Sequence, residues 1–293
     1  MIKHITVILI YFCISSLVSG QRTIIHAGSL IDGKSKKVVK QHSIIIEKGI
    51  ITSVVKGYAK YKKDDTLIDL KDKTVLPGWI DMHVHLSGES SPQAYGEDFY
   101  MNPEDVAYRA IPWVEETLMA GFTSVRDLGG EIILSTRDAI NKGYIIGPRI
   151  YAAGVSIGTT GGHADQTSGL NRDLRGDPGP YEGVINGADD ARKAVRQRYK
   201  DGSDVIKITA TGGVLSVAKN GLNPQFTEDE IRAIVETAKD YDMFVAAHAH
   251  GIEGMQRAIR GGVRTIDHGT LMNKETAQLM KKYGTYYVPT VSA

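Results

Sequence analysis

Five of the nine histidines fall in three short motifs: Asp81-Met82-His83-Val84-His85, His248-Ala249-His250 and Asp267-His268-Gly269. Each motif closes an apolar run that reads as a strand. Side chains two apart on a strand point to the same face, so His83 and His85 present two imidazoles side by side. In a parallel barrel the strand C-termini form a rim where side chains from different strands meet. Two imidazoles from one strand, with one from each of two others, can build a metal site. A single strand histidine is ordinarily a satisfied core residue, but three strand-terminal clusters in chain order reverse that expectation.

Lys207 is the second unusual residue. It interrupts the apolar run Val205-Ile206-Lys207-Ile208 and shares the facing of Val205 and Thr209. An ammonium inside a barrel is costly to desolvate and tends to lose its proton. The neutral amine can then react with carbon dioxide to form an anionic carbamate, whose two oxygens can bridge two cations. The alternative is a lysine that snorkels to solvent or pairs with Asp204.

The elements that position these residues change character along the chain. Residues 21–73 read as short strands: Ser43 to Glu47 is β-branched, Lys48-Gly49 is a turn, and Ile50 to Val55 is the hairpin partner. This stretch is expected to be a small N-terminal β-sandwich domain without chemistry of its own. From residue 74 to 293 strands alternate with helices. The expected strands are Trp79–His85, Thr123–Asp127, Arg149–Val155, Asp204–Thr209, Phe244–His248, Thr265–His268 and Tyr286–Pro289. Asn102-Pro103-Glu104 marks a helix start with proline at the first position. Thr227 to Glu230 is a capping box, and a helix from Asn273 to Lys282 ends at Tyr283-Gly284. This order predicts an α/β fold, a (β/α)8-type barrel with about seven strands present in this chain. A doubly wound open sheet is disfavoured because no glycine-rich dinucleotide fingerprint follows the first strand.

Composition bounds the function classes. The chain has 293 residues, 35 basic and 34 acidic, and a net charge of +1 at pH 7. That balance gives no electrostatic footprint for nucleic acid. Lys3 and His4, the apolar run from Ile5 to Val18 and the small residues Ser19 and Gly20 have the order of a secretory signal peptide. Residues 1–20 are therefore expected to be cleaved, leaving an exported, periplasmic or secreted chain that does not insert in the membrane. Cys13 is the only cysteine, so the mature chain would hold metal through nitrogen and oxygen ligands alone.

At this point the sequence resembles a family. Pro77-Gly78-Trp79-Ile80-Asp81-Met82-His83-Val84-His85 is similar to the first-strand motif of the amidohydrolase superfamily. The order of this motif, a strand lysine and then histidines on the next two strands resembles its binuclear members. Gly161-Gly162-His163, Gly212-Gly213 after Lys207, Ala247-His248-Ala249-His250-Gly251 and Ile266-Asp267-His268-Gly269 are closer to the imidazolonepropionase-like branch, which includes Xaa-Pro dipeptidases. The resemblance implies two divalent ions, zinc by default with manganese or iron as alternatives. His83 and His85 would hold the more buried ion, His248 and His268 the second, and a Lys207 carbamate would bridge them. His163 and His250 would contact substrate. The implied activity is hydrolysis of an amide bond in a dipeptide or other small carboxylate-bearing molecule. A cyclic amidohydrolase or deaminase and an inactive metal-binding fragment are the competing readings, and a homo-oligomer is left open. The family's general-base aspartate, on an eighth strand, falls beyond Ala293, so the catalytic base is unassigned and the chain is read as a fragment. Asp267 is expected to face away from the site, on the opposite side of its strand from His268.

Overall fold

The computed structural model describes residues 22–89, 91–97, 99–214 and 220–291, and the expected signal peptide, residues 1–20, lies outside them. Two compact units divide the chain after Pro77.

In the first unit, β1 (Arg22–Leu30), β2 (Val39–Glu47), β3 (Ile50–Lys56) and β4 (Thr66–Val75) form one sheet in the order β3-β2-β1-β4. The β2–β3 hairpin turns at Lys48 and Gly49, with φ of 51° and 77°. Positive φ at both central residues matches the twist of the flanking strands. Ala27, Leu30 and Ile44 form its small core. The unit departs from the expected sandwich. β1 takes β2 on one side and β4 on the other, so all four strands fit one sheet, with no second layer among the described residues. The apolar residues that suggested two faces, Ile50, Ile51, Val54 and Val55, are exposed.

The second unit alternates strands and helices: β5 (Trp79–Val84), α1 (Ala94–Glu97), α2 (Pro103–Met119), β6 (Phe122–Asp127), α3 (Ile133–Asn141), β7 (Arg149–Ala152), β8 (Gly158–Thr159), β9 (Val184–Ile185), α4 (Ala188–Asp201), β10 (Ile206–Thr209), α5 (Glu228–Lys239), β11 (Val245–Ala249), α6 (Ile252–Gly261), β12 (Thr265–His268), α7 (Lys274–Tyr283) and β13 (Tyr286–Val288). β5-β6-β7 and β10-β11-β12-β13 are parallel sets. Backbone bonds join them: Asp204 N donates to Ala152 O at 2.9 Å, and Ile157 N to Lys207 O at 2.8 Å. The result is a TIM-barrel-like α/β array with its strands in chain order. Among the described residues β13 and β5 are not paired, so the sheet is not closed into a barrel. The β8–β9 pair was not expected, because strands of two residues carry no periodicity to read.

Strand alternation decides what faces inward. Ile206 and Ile208 of β10 join Val245, Ala247 and Ile266 in a core packed under Ile231 and Ile234 of α5 and Met255 and Ile259 of α6. The intervening positions, Lys207 and Thr209, point the other way and line the cavity described below. None of the helices among the described residues is long and apolar enough to cross a membrane.

Helix ends follow their sequence signals. Asn273 accepts from Thr276 N at 2.8 Å, and α7 stops at Gly284 with φ of 71°. Glu230 of the capping box is buried and ties two helices together. Its Oε2 accepts from Thr227 N at 2.8 Å and from Thr227 Oγ1 at 2.7 Å, while Oε1 accepts from Gly187 N, ahead of α4, at 2.7 Å. Removing a buried acceptor leaves its donors unpaired, so Glu230→Ala should lose about 1–3 kcal/mol of stability. The midpoint and slope of a urea denaturation curve measure this, with Glu230→Gln expected to recover part of it. An unchanged midpoint would mean the bonds give no net stabilisation.

Candidate active site

The inward-facing residues at the strand C-termini line one cavity of about 800 Å³. His83, His85, His163, Lys207, His248, His250 and His268 all line it. The rings form a continuous patch: centroids are 5.3 Å apart for His83–His85, 4.6 Å for His83–His268, 4.7 Å for His248–His268, 4.6 Å for His248–His250 and 4.4 Å for His163–His248. Glycine makes room for two of them. A Cβ on Gly213 would lie 2.5 Å from His163 Cε1, and one on Gly129 would lie 3.1 Å from His85 Cε1.

Asp267 does not face away. Its Oδ2 accepts from His83 Nδ1 at 2.8 Å and from Arg126 Nη2 at 2.9 Å. His268, the next residue, still reaches the cavity because its φ is 72°. The left-handed backbone breaks the two-residue alternation on which the expectation rested.

The four histidines expected to hold metal each commit one ring nitrogen. His83 Nδ1 donates to the Asp267 carboxylate, and His248 Nε2 donates to Gly212 O at 2.8 Å. His85 Nδ1 meets Gly129 O at a long 3.4 Å, and His268 Nδ1 pairs with Thr290 Oγ1 at 2.8 Å. A neutral imidazole that donates from one nitrogen carries its lone pair on the other. That leaves Nε2 of His83 and His85 and Nδ1 of His248 as acceptors or ligands.

Burial keeps the rings neutral. It is the main cause that lowers His85 and His268 to about 3 and His163 to about 4, with repulsion from Lys207 adding to it in each case. His248 is pushed well below the usual imidazole range for the same reason, helped by His163. Lys207 is 4% exposed and is lowered to about 8, again chiefly by burial. It neither snorkels nor pairs with Asp204. That carboxylate accepts from Arg137 Nη1 at 2.8 Å and Ala152 N at 2.9 Å, and Lys207 forms no ion pair among the described residues.

The donor chemistry fits divalent cations, since neutral imidazole nitrogens are ordinary ligands for zinc. His163 Nδ1, His250 Nε2 and Thr209 Oγ1 are buried without a partner among the described residues. Orphaned polar atoms on one cavity mark a place for a ligand. Among the described residues no group of three or more His, Cys, Asp or Glu side chains is already arranged to hold a metal ion.

Arg126 was missed as a residue that supports this site. It interrupts the apolar end of β6 much as Lys207 interrupts β10, and that was the available signal. Asp127 is fully buried. Its oxygens accept from Leu86 N at 2.7 Å and Gly129 N at 3.1 Å, so it pins the segments that follow β5 and β6.

The amidohydrolase family's sequence pattern matches residues 74–293. Ochratoxinase from Aspergillus niger is 30% identical over 296 aligned residues, covering 95% of this chain and 61% of that protein. A crystal structure of a Xaa-Pro dipeptidase with bound methionine in the active site superposes with a TM-score of 0.89 at 52% identity, over 93% of this chain and 67% of that one. A prolidase complexed with N-methylphosphonate-L-proline gives 0.84 at 34% identity, over 92% and 66%. This chain therefore spans about three fifths of the curated relative's length.

Burial raises the Asp127 carboxyl from 3.8 to about 7, against the pull of its two backbone donors. The folded state then holds this proton more tightly than the unfolded state does. The contribution is fully present below about pH 4 and is lost as pH rises towards about 7, the range between the two values. The stability difference between wild type and Asp127→Asn should therefore shrink with rising pH, by at most roughly 1 kcal/mol per pH unit. Denaturant titrations at several pH values measure it, and a constant difference would contradict the assignment.

Proposed function

We propose that this chain, which belongs to the amidohydrolase family, hydrolyses amide carbon–nitrogen bonds in small carboxylate-bearing substrates, with dipeptides the first class to test. The observation that carries this reading is the patch of six neutral imidazoles around a buried lysine in a single cavity. Its volume of about 800 Å³ falls within the range of small-molecule sites. The likeness to a Xaa-Pro dipeptidase, a prolidase and an ochratoxinase supports the same class.

In this reading His83 and His85 hold one divalent cation, and His248 and His268 hold a second, with zinc the default for this donor set. Lys207 lines the same cavity as both pairs. Its neutral amine would add to carbon dioxide and release one proton, and the resulting carbamate anion would supply oxygen ligands alongside the imidazoles. When bound, such cations supply Lewis acidity, lowering the pKa of water and polarising a carbonyl.

The remaining steps belong to the chain's own residues. The backbone of His163 is held by its N–H donating to Gln225 Oε1 at 2.9 Å. Its partnerless ring nitrogen is free to meet a substrate carboxylate or carbonyl oxygen. His250 Nδ1 is tied to Thr270 Oγ1 at 2.8 Å, leaving Nε2 towards the substrate. Neither Asp127 nor Asp267 lines the cavity, and all their oxygens already accept hydrogen bonds within the protein. Neither one is placed to carry a proton to the leaving amine. The N-terminal sequence supports an exported setting for this activity.

Zinc-loaded protein incubated with a dipeptide panel should release free amino acids. His83→Ala and His268→Ala should lose both metal content and hydrolysis. Wild-type metal content and turnover in His83→Ala would overturn the metal reading.

Lys207→Ala should be inactive and partly rescued by a short carboxylic acid that replaces the bridging oxygens. Full activity without rescue would remove the carbamate.

His163→Ala should raise KM more than it lowers kcat, as expected for lost ground-state binding. An unchanged KM across the panel would take His163 out of substrate recognition.

A further inference from the structure

We infer that Arg126 and Asp267 act as a positioning pair for His83, fixing its ring so that Nδ1 carries the proton and Nε2 offers its lone pair to the cavity. Arg126 is 2% exposed and Asp267 is fully buried, and neither lines the cavity. Their hydrogen bonds go to His83, to the Met82 carbonyl before it, to Thr265 and to each other. Arg126 Nη2 donates to Asp267 Oδ2 at 2.9 Å, and Nη1 donates to Thr265 Oγ1 at 3.2 Å. The Thr265 hydroxyl donates in turn to Asp267 Oδ1 at 2.7 Å, so both carboxylate oxygens are engaged before His83 is counted. His83 Nδ1 donates to Asp267 Oδ2 at 2.8 Å.

The guanidinium has a second hold on the same residue. Arg126 Nε donates to the carbonyl of Met82, the residue before His83, at 2.7 Å. Backbone and ring of His83 are thus fixed by one network that spans β5, β6 and β12. A carboxylate only accepts, so the imidazole nitrogen facing it must be the protonated one.

Stability alone does not require such a network. A buried ion pair returns little over apolar side chains of similar volume, because desolvating both charges costs several kcal/mol each. What an apolar pair cannot do is select one imidazole tautomer. Hydrogen-bond partners on the far side of a ligand histidine characteristically set its tautomer and ring direction, and losing one typically costs about 10–100-fold in metal affinity.

The inference rests on the proposed role of His83 for its affinity arm only, and the tautomer arm stands without it. In metal-free protein with 15N-labelled histidine, the His83 signals are identified by their loss in His83→Gln. Two-bond proton–nitrogen correlations should then show a protonated Nδ1 and a bare Nε2. A protonated Nε2 would overturn the inference at once, with no variant needed. The double variant Arg126→Met/Asp267→Leu removes both charges together. It should populate both His83 tautomers and bind zinc about 10–100-fold more weakly by competitive titration. Wild-type tautomer and zinc affinity in a folded double variant would also overturn the inference. Should that variant not fold, the wild-type tautomer decides alone, a protonated Nε2 counting against the pair. Wild-type protein that shows the expected tautomer yet binds no zinc would reject the metal reading while leaving the positioning pair standing.

Discussion

Burying Lys207 at 4% exposure among imidazoles takes charge out of water without an ion-pair partner among the described residues to return the lost solvation. The rest of the cavity is organised around that cost. The rings shed their protons, and the lysine moves to about 8, within reach of the neutral amine. Where a full charge pair is kept, between Arg126 and Asp267, a hydroxyl and an imidazole complete its hydrogen bonds. The neutral ring nitrogens that result are ordinary ligands for divalent cations.

Strand register puts these groups at one level. Thr209 pairs with His248, His248 with Asp267, and Ala249 with His268 across β10, β11 and β12. A slip of one residue would exchange the inner and outer faces of a strand. Lys207 would then meet the helices, and Ile206 or Ile208 would meet the cavity. The apolar contacts of Ile206, Ile208 and Ile266 with α5 and α6 oppose that slip. The packing that stabilises the fold therefore also fixes the position of the chemistry.

Much of this was legible in the sequence, for a definite reason. Histidines and a lysine at the ends of apolar runs are expensive to place, so His83, His85, Lys207, His248 and His268 stood out against their neighbours. The strand order and the caps at Asn102, Thr227 and Asn273 were legible through periodicity and local chemistry. Asp267 was misread because alternation was counted backwards from His268, whose φ of 72° breaks it. Arg126 was passed over because its partners, Met82, Thr265 and Asp267, are brought to it only by tertiary folding. In the first unit, β-branched residues announced strands, but whether four strands make one sheet or two layers depends on pairing partners that composition does not encode.

On the proposed reading these neutral imidazoles form a divalent-cation centre with Lys207. X-ray absorption at the zinc edge, on protein loaded with two equivalents and freed of excess metal, tests it directly. The spectrum should show multiple-scattering features of imidazole in the outer shells, with a first shell of nitrogen and oxygen and no sulfur. A shell of water-like oxygens without imidazole scattering, or zinc lost entirely on removal of the excess, would contradict it.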